Sequence, residues 1–117
     1  MPQLNRIVLY VKDVDRSSAF YTHHFNFEIL QLPGDRITEL IPVDGGARLM
    51  LHKAGKAVKL GQASVKLSFN VKDVEGFIDQ AIENGLIFGS IHQADGYRFD
   101  NAKDPDGNSI QVTSRPI

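Results

Sequence analysis

The stretch Val-Lys-Asp-Val-Asp at 11–15 returns as Val-Lys-Asp-Val-Glu at 71–75, sixty residues later in a chain of 117. A repeat at that spacing leaves room for two copies of one unit and little else, provided the flanks repeat in physical type. They do. Residues 6–11 (Arg-Ile-Val-Leu-Tyr-Val) and 66–71 (Lys-Leu-Ser-Phe-Asn-Val) both alternate with period two. That pattern predicts a strand with two unlike faces, Ile7, Leu9 and Val11 matching Leu67, Phe69 and Val71. Asp13 and Asp73 follow where a helix N-cap accepts unpaired backbone N–H groups. Val74, Phe77, Ile78, Ala81 and Ile82 then form one helical stripe, which Asn84-Gly85 stops. The first helix has a looser stripe, Val14, Phe20, Tyr21 and Phe25, and stops near Asn26, a residue that tolerates positive φ. Its Ser17-Ser18 pair lowers helix propensity, so it must depend on packing.

After each helix three more strands are expected, near 27–32, 36–43 and 47–52, and near 87–91, 96–103 and 108–114. Pro33-Gly34-Asp35, Asp44-Gly45-Gly46, Asp95-Gly96 and Asp104-Pro105-Asp106-Gly107-Asn108 supply the turns. The last of these lacks the spaced oxygen ligands and terminal Glu of a calcium loop and reads as a hairpin turn. The expectation is an α+β fold of two tandem β-α-β-β-β modules, about 1–57 and 62–117, joined by a linker near 53–64 into one domain over 1–117. A four-stranded sheet with a single helix leaves one face bare. Two copies can curl those faces into a cup, a curved mixed sheet with the helices on its outer face.

Thirteen basic and fourteen acidic side chains leave a net charge of −1, so no overall field draws in nucleic acid or an anionic membrane, and neither is expected as a partner. Cysteine is absent, which removes disulfides, thiolate nucleophiles and sulfur-ligated zinc or iron–sulfur sites. The apolar run Ile7 to Val11 is too short for a signal-peptide core or a membrane span, and a soluble, cytoplasmic protein is expected.

The paired modules, the Val-Lys-Asp-Val-Asp…Ser-x-x-Phe-Tyr opening at 11–21 and the Asp-Pro-Asp-Gly-Asn-x-Ile close at 104–110 resemble the vicinal oxygen chelate superfamily. That group includes glyoxalase I, extradiol dioxygenases, fosfomycin resistance enzymes and bleomycin resistance proteins. The resemblance covers nearly the whole chain and is specific for fold rather than for function. It implies a homodimer and, in enzymatic members, a divalent metal held by His and Glu or Gln in four slots. Those slots align here with Arg6, Met50, Lys66 and Gln111. Guanidinium and ammonium groups offer no lone pair and repel a cation, and a thioether is too soft for magnesium, manganese or iron(II). Gln111 alone can ligate, so no metal, no cofactor and no glyoxalase I activity are expected.

Strand phase puts Arg6, Val8, Tyr10, Arg48, Met50 and His52 on the cup face of the first module, and Lys66, Ser68, Asn70, Ser109, Gln111 and Thr113 on that of the second. A polar cup with an aromatic wall suits a small-molecule ligand. The candidate ligand-binding residues are Arg6, Tyr10, Met50, His52, Lys66, Asn70 and Gln111. No catalytic residue is assigned, because His52 has no partner visible in sequence and a nucleophilic Lys66 is the less common state of a cleft lysine. His23, His24 and His92 are expected at the surface. With family strand pairing, Arg6 and Lys66 about 8 Å apart repel by about 2 kcal/mol, which a bound anion relieves. The expected function is therefore a metal-free protein of the glyoxalase/bleomycin resistance type that binds an organic, anionic ligand. Two readings compete: a metal-dependent lyase or dioxygenase with a displaced site drawn from His52, Gln111 and Glu39, and a structural or regulatory module with a filled cup. Pairing of Arg6 and Lys66 with Glu39 or Asp100, whose phase the sequence leaves open, would also neutralise the cations.

Overall fold

Both copies of the repeated stretch join a strand to a helix in the computed structural model, which describes residues 1–117. Strand β1 (Arg6–Val11) leads to α1 (Val14–Phe25), then β2 (Phe27–Leu30), β3 (Ile37–Pro42) and β4 (Arg48–Lys53). The order repeats as β5 (Lys66–Asn70), α2 (Val74–Glu83), β6 (His92–Gln93), β7 (Arg98–Lys103) and β8 (Ser109–Thr113). The chain divides into two compact units, Met1–Leu60 and Gly61–Ile117. Each holds one mixed four-stranded sheet, ordered β1-β4-β3-β2 and β5-β8-β7-β6, whose first and last strands in sequence pair in parallel. This is the α+β fold of two β-α-β-β-β modules. Neither helix is long and apolar enough to cross a membrane.

The two helices start the same way because the same residue type does the same work. The Asp13 carboxylate accepts the backbone N–H of Arg16 at 3.1 Å, and that of Asp73 accepts the N–H of Gly76 at 3.0 Å. They end differently. Asn26 itself takes the left-handed conformation (φ 57°, ψ 50°) after α1, whereas after α2 that conformation falls on Gly85 (φ 91°). Asn26 also donates its side-chain amide to Asp44 at 3.2 Å. Asn26→Ala is therefore expected to cost about 1–1.5 kcal/mol, from left-handed strain plus a lost hydrogen bond, while Asn26→Gly should stay within about 0.5 kcal/mol of the native protein. Thermal melts of the two variants check this; an alanine variant as stable as the glycine variant would show that the backbone there is not strained.

In the first unit Val11, Tyr21, Leu40 and Leu51 are fully buried between α1 and the sheet. Ser17 and Ser18 lie on the buried stripe of α1. The pair that weakens local helix propensity thus gives the helix two small side chains where it meets the strands, and packing overrides propensity. In the second unit Val74, Ile78 and Ala81 of α2 are buried, as are Leu67, Ile110 and Val112 of the sheet.

One expected strand is missing. Residues 87–91 have no regular structure, and the strand beside β7 is reduced to His92–Gln93. Gly89 donates its N–H to the carbonyl of Asn101 at 3.1 Å, the first half of an antiparallel exchange. The N–H of Asn101 goes instead to the Asp100 side chain at 2.7 Å, whose Oδ1 lies 3.5 Å from where a Cβ on Gly89 would sit. A side chain has taken the place of the return bond, and Gly89-Ser90 has little β-propensity with which to compete.

His24, near the end of α1, departs from the expected surface position. Its ring is half-buried, T-shaped against Phe20 and against His23 at 4.8 Å each, and its Nδ1 has no hydrogen-bond partner. Burial, and then the neighbouring His23, push its pKa below the usual histidine value. The folded state thus resists a proton that the unfolded chain accepts, so His24 favours folding above the usual histidine pKa and loses that contribution as pH falls through it. Between about pH 7 and pH 5 the native protein is expected to lose more stability than His24→Gln. Parallel stability–pH curves for the two proteins would refute the assignment.

Candidate functional site

Alternation along each strand gives each sheet a face against its helix and a helix-free face, and direct cross-strand partners share a face. In the first unit the register sets Arg6 opposite Arg48, Val8 opposite Met50, Tyr10 opposite His52 and Glu39 opposite Met50. All of these belong to the helix-free face, since Leu49, Leu51 and Leu40 of the intervening phase are buried. The strands therefore present a charged end and an aromatic end. At the aromatic end the Tyr10 and His52 rings lie 5.3 Å apart, tilted by 50°. Val8 and Tyr10 are about half exposed, at 47% and 50%.

The charged end answers a question the sequence left open. Glu39 accepts from Arg48 Nη1 at 2.6 Å and from Arg6 Nε at 3.4 Å. These bonds, led by that from Arg48, hold its carboxyl pKa below the usual glutamate value despite opposing desolvation. Two guanidinium groups directly opposite each other repel, and a single carboxylate bridges them. The second neutralisation weighed from sequence does not occur. Asp100 is buried in the opposite phase of β7, and Lys66 donates to the neutral side-chain oxygen of Asn101 at 2.9 Å.

The helix-free face of the second unit is an amide and hydroxyl network. Ser68 donates to Gln111 at 2.8 Å, Lys103 to Ser109 at 2.8 Å, and Asn70 to the backbone oxygen of Arg115 at 2.7 Å. Thr113, expected on this face, is buried. Beside the network lies an aromatic group that sequence reasoning did not select. His92 stacks on Phe99 with ring centroids 5.0 Å apart, Tyr97 lies 6.2 Å from Phe99, and the Arg115 guanidinium sits 5.5 Å over Tyr97. Phe99 and Asn101 stand directly opposite Thr113 and Gln111, so the β7–β8 register would have found them.

Of the candidates, Arg6, Tyr10, Met50 and His52 thus share one face of the first sheet, and Lys66, Asn70 and Gln111 share one face of the second. The four slots aligned from sequence, Arg6, Met50, Lys66 and Gln111, offer a divalent metal donors that do not fit it: a guanidinium bonded to Glu39, a thioether, an ammonium bonded to Asn101, and a carboxamide whose oxygen already accepts from Ser68. The displaced site fares no better. Glu39 is committed to two arginines, and no three His, Cys, Asp or Glu side chains gather as a metal would need.

Residues 3–112 match the family model described as Glyoxalase/Bleomycin resistance protein/Dioxygenase superfamily. No curated protein matches the sequence. Among solved structures, TnmS3, an antibiotic binding protein from Streptomyces sp. CB03234, is similar in fold with a TM-score of 0.79 and 22% identity, over 96% of this chain and 94% of that one. UcmS2 superposes with a TM-score of 0.81 at 18% identity, over 97% and 98% of the two chains. A superfamily member from Sphaerobacter thermophilus gives 0.78 at 19% identity, over 97% of each.

Proposed function

Because the chain belongs to the glyoxalase/bleomycin resistance protein/dioxygenase superfamily, we propose that it is a binding protein that holds a small organic anion without a metal. The observation that carries this reading is the state of Lys66. It stands in a slot that enzymatic relatives fill with a metal ligand, its ammonium is bonded to a neutral amide oxygen, and no carboxylate pairs with it. A protein built around a divalent cation would not place a permanent positive charge there, whereas one that receives an anion would. The antibiotic-binding neighbour supports a binding role for the fold, and no group here is arranged as nucleophile and base.

Titration with benzoate and inorganic phosphate, followed by thermal unfolding, tests the reading. The melting temperature of the native protein should rise with anion concentration, rise less for Lys66→Met, fall back at high salt, and be indifferent to a chelator. No rise in the native protein with either anion, or a melting temperature that collapses with chelator, would sink it; equal responses in the two proteins would place the anion away from Lys66.

A further inference from the structure

We propose that Arg6 and Arg48 form a fork for the carboxylate of the ligand, that Glu39 positions the fork, and that the ligand's apolar body runs along β1 and β4 to the Tyr10–His52 pair. The inference rests on the binding reading above and assigns the acid-gripping role to Arg48, in place of a pairing between Arg6 and Lys66.

The fork is set from below. Glu39 has a side chain only 14% exposed, while those of Arg6 and Arg48 are 49% and 40% exposed, so the carboxylate lies inside and the guanidinium groups outside. Arg6 spends its Nε on Glu39 and Arg48 spends one terminal nitrogen. Both terminal nitrogens of Arg6, and the Nε and Nη2 of Arg48, keep their protons for a ligand. Two planar five-donor groups, each fixed by one bond, present parallel N–H pairs of the kind that grip a carboxylate with two hydrogen bonds. Fixing them beforehand removes part of the side-chain entropy that binding would otherwise cost.

Charge and register narrow the ligand further. Two guanidinium groups and one carboxylate carry a net charge of +1, which a monoanion neutralises and a dianion oversteps. From the Arg6–Arg48 pair the register advances two residues to Val8–Met50 and two more to Tyr10–His52. Each such step spans about 6.6 Å, so the aromatic pair stands about 13 Å from the fork. The ligand class is a monocarboxylate whose apolar body covers Val8 and Met50 and ends in a ring or chain against Tyr10.

The test uses the intact chain and a series of probes: acetate, benzoate, 4-phenylbutyrate and the uncharged 4-phenylbutyramide. Affinity measured by calorimetry should rise from acetate to benzoate to 4-phenylbutyrate, and the amide should bind at least tenfold more weakly than its acid. Arg48→Gln should weaken 4-phenylbutyrate at least tenfold, and Arg48→Lys should recover only part of the loss, because a point charge cannot fork. Glu39→Gln separates positioning from simple attraction. It makes the site more positive, so bulk charge alone predicts tighter binding, whereas a positioned fork predicts binding weaker by threefold or more. Native-like melting of Arg48→Gln without ligand shows that its loss is one of binding; should Glu39→Gln fail to fold, the Arg48 variants and the probe series decide. Unchanged affinity in Arg48→Gln, with binding still sensitive to Lys66→Met, would overturn the fork and leave the binding reading intact. Absence of any response to carboxylate or phosphate in the native protein would overturn both.

Discussion

Asp104→Ala is expected to lower stability by about 3 kcal/mol and the melting temperature by roughly 10–15 °C. The Asp104 side chain is the hub of the turn before β8. Its Oδ1 accepts the backbone N–H groups of Asp106 at 3.0 Å and Asn108 at 2.8 Å, and its Oδ2 accepts the Asn108 side-chain amide at 3.0 Å. At 5% exposure, water cannot replace it as a partner for those donors. Bonds to a charged acceptor are worth about 1.5–3 kcal/mol each and are not additive within one cluster, which sets the estimate. Asp104→Asn keeps Oδ1 as an acceptor but turns an amide toward the amide of Asn108, so it should fall between alanine and native. Because β8 starts at Ser109 and carries Gln111, the alanine variant should also loosen that end of the helix-free face. A loss below about 1 kcal/mol in denaturant titration would mean that the turn is held by its backbone alone.

The second large effect has the opposite sign. Asp100 is 1% exposed, and while its Oδ1 accepts the N–H of Asn101, its Oδ2 has no hydrogen-bond partner. A carboxyl oxygen held away from water without a hydrogen-bond partner opposes folding. Asp100→Asn keeps an acceptor for Asn101 on a neutral side chain, so a gain of about 2 kcal/mol is expected, or roughly 7–10 °C in melting temperature. Asp100→Ala removes the acceptor as well and should be less stable than the asparagine variant. An asparagine variant less stable than native would show that Oδ2 has a donor after all.

These two aspartates mark the boundary of what sequence could supply. The turn that Asp104 anchors was legible because Asp-Pro-Asp-Gly-Asn is local turn chemistry, and the caps at Asp13 and Asp73 were legible for the same reason. Asp100 was not. Its phase depends on how β7 pairs, and the neighbouring segment 87–91, apolar enough to suggest a strand, gives up its ladder bond to a side chain nine or more residues away in sequence. The candidate face divides along the same line. Period two placed Arg6, Tyr10, Met50, His52, Lys66, Asn70 and Gln111 on helix-free faces, but their partners are set by register across turns. Glu39 under two arginines, Asn101 against Lys66, and Phe99 beneath His92 all follow from pairings that no local pattern encodes. Arg48 was placed on its face from sequence, yet nothing there linked it to Arg6 through a shared carboxylate.

The short β6 also bears on how the protein tolerates crowding. A sheet ends in a row of unpaired backbone groups that can recruit a strand from another molecule, and very short terminal strands are one natural defence. The second sheet ends in a strand of two residues, His92–Gln93, which offers too little backbone to seed growth. The first ends in the four residues Phe27–Leu30, with Ile29 53% and Leu30 38% exposed and Leu32 just beyond them 53% exposed. Duplication has thus left the equivalent β2 and β6 edges unlike, one adhesive and one blunted, and strand addition at high concentration is expected at Phe27–Leu32 rather than at the matching place in the other half.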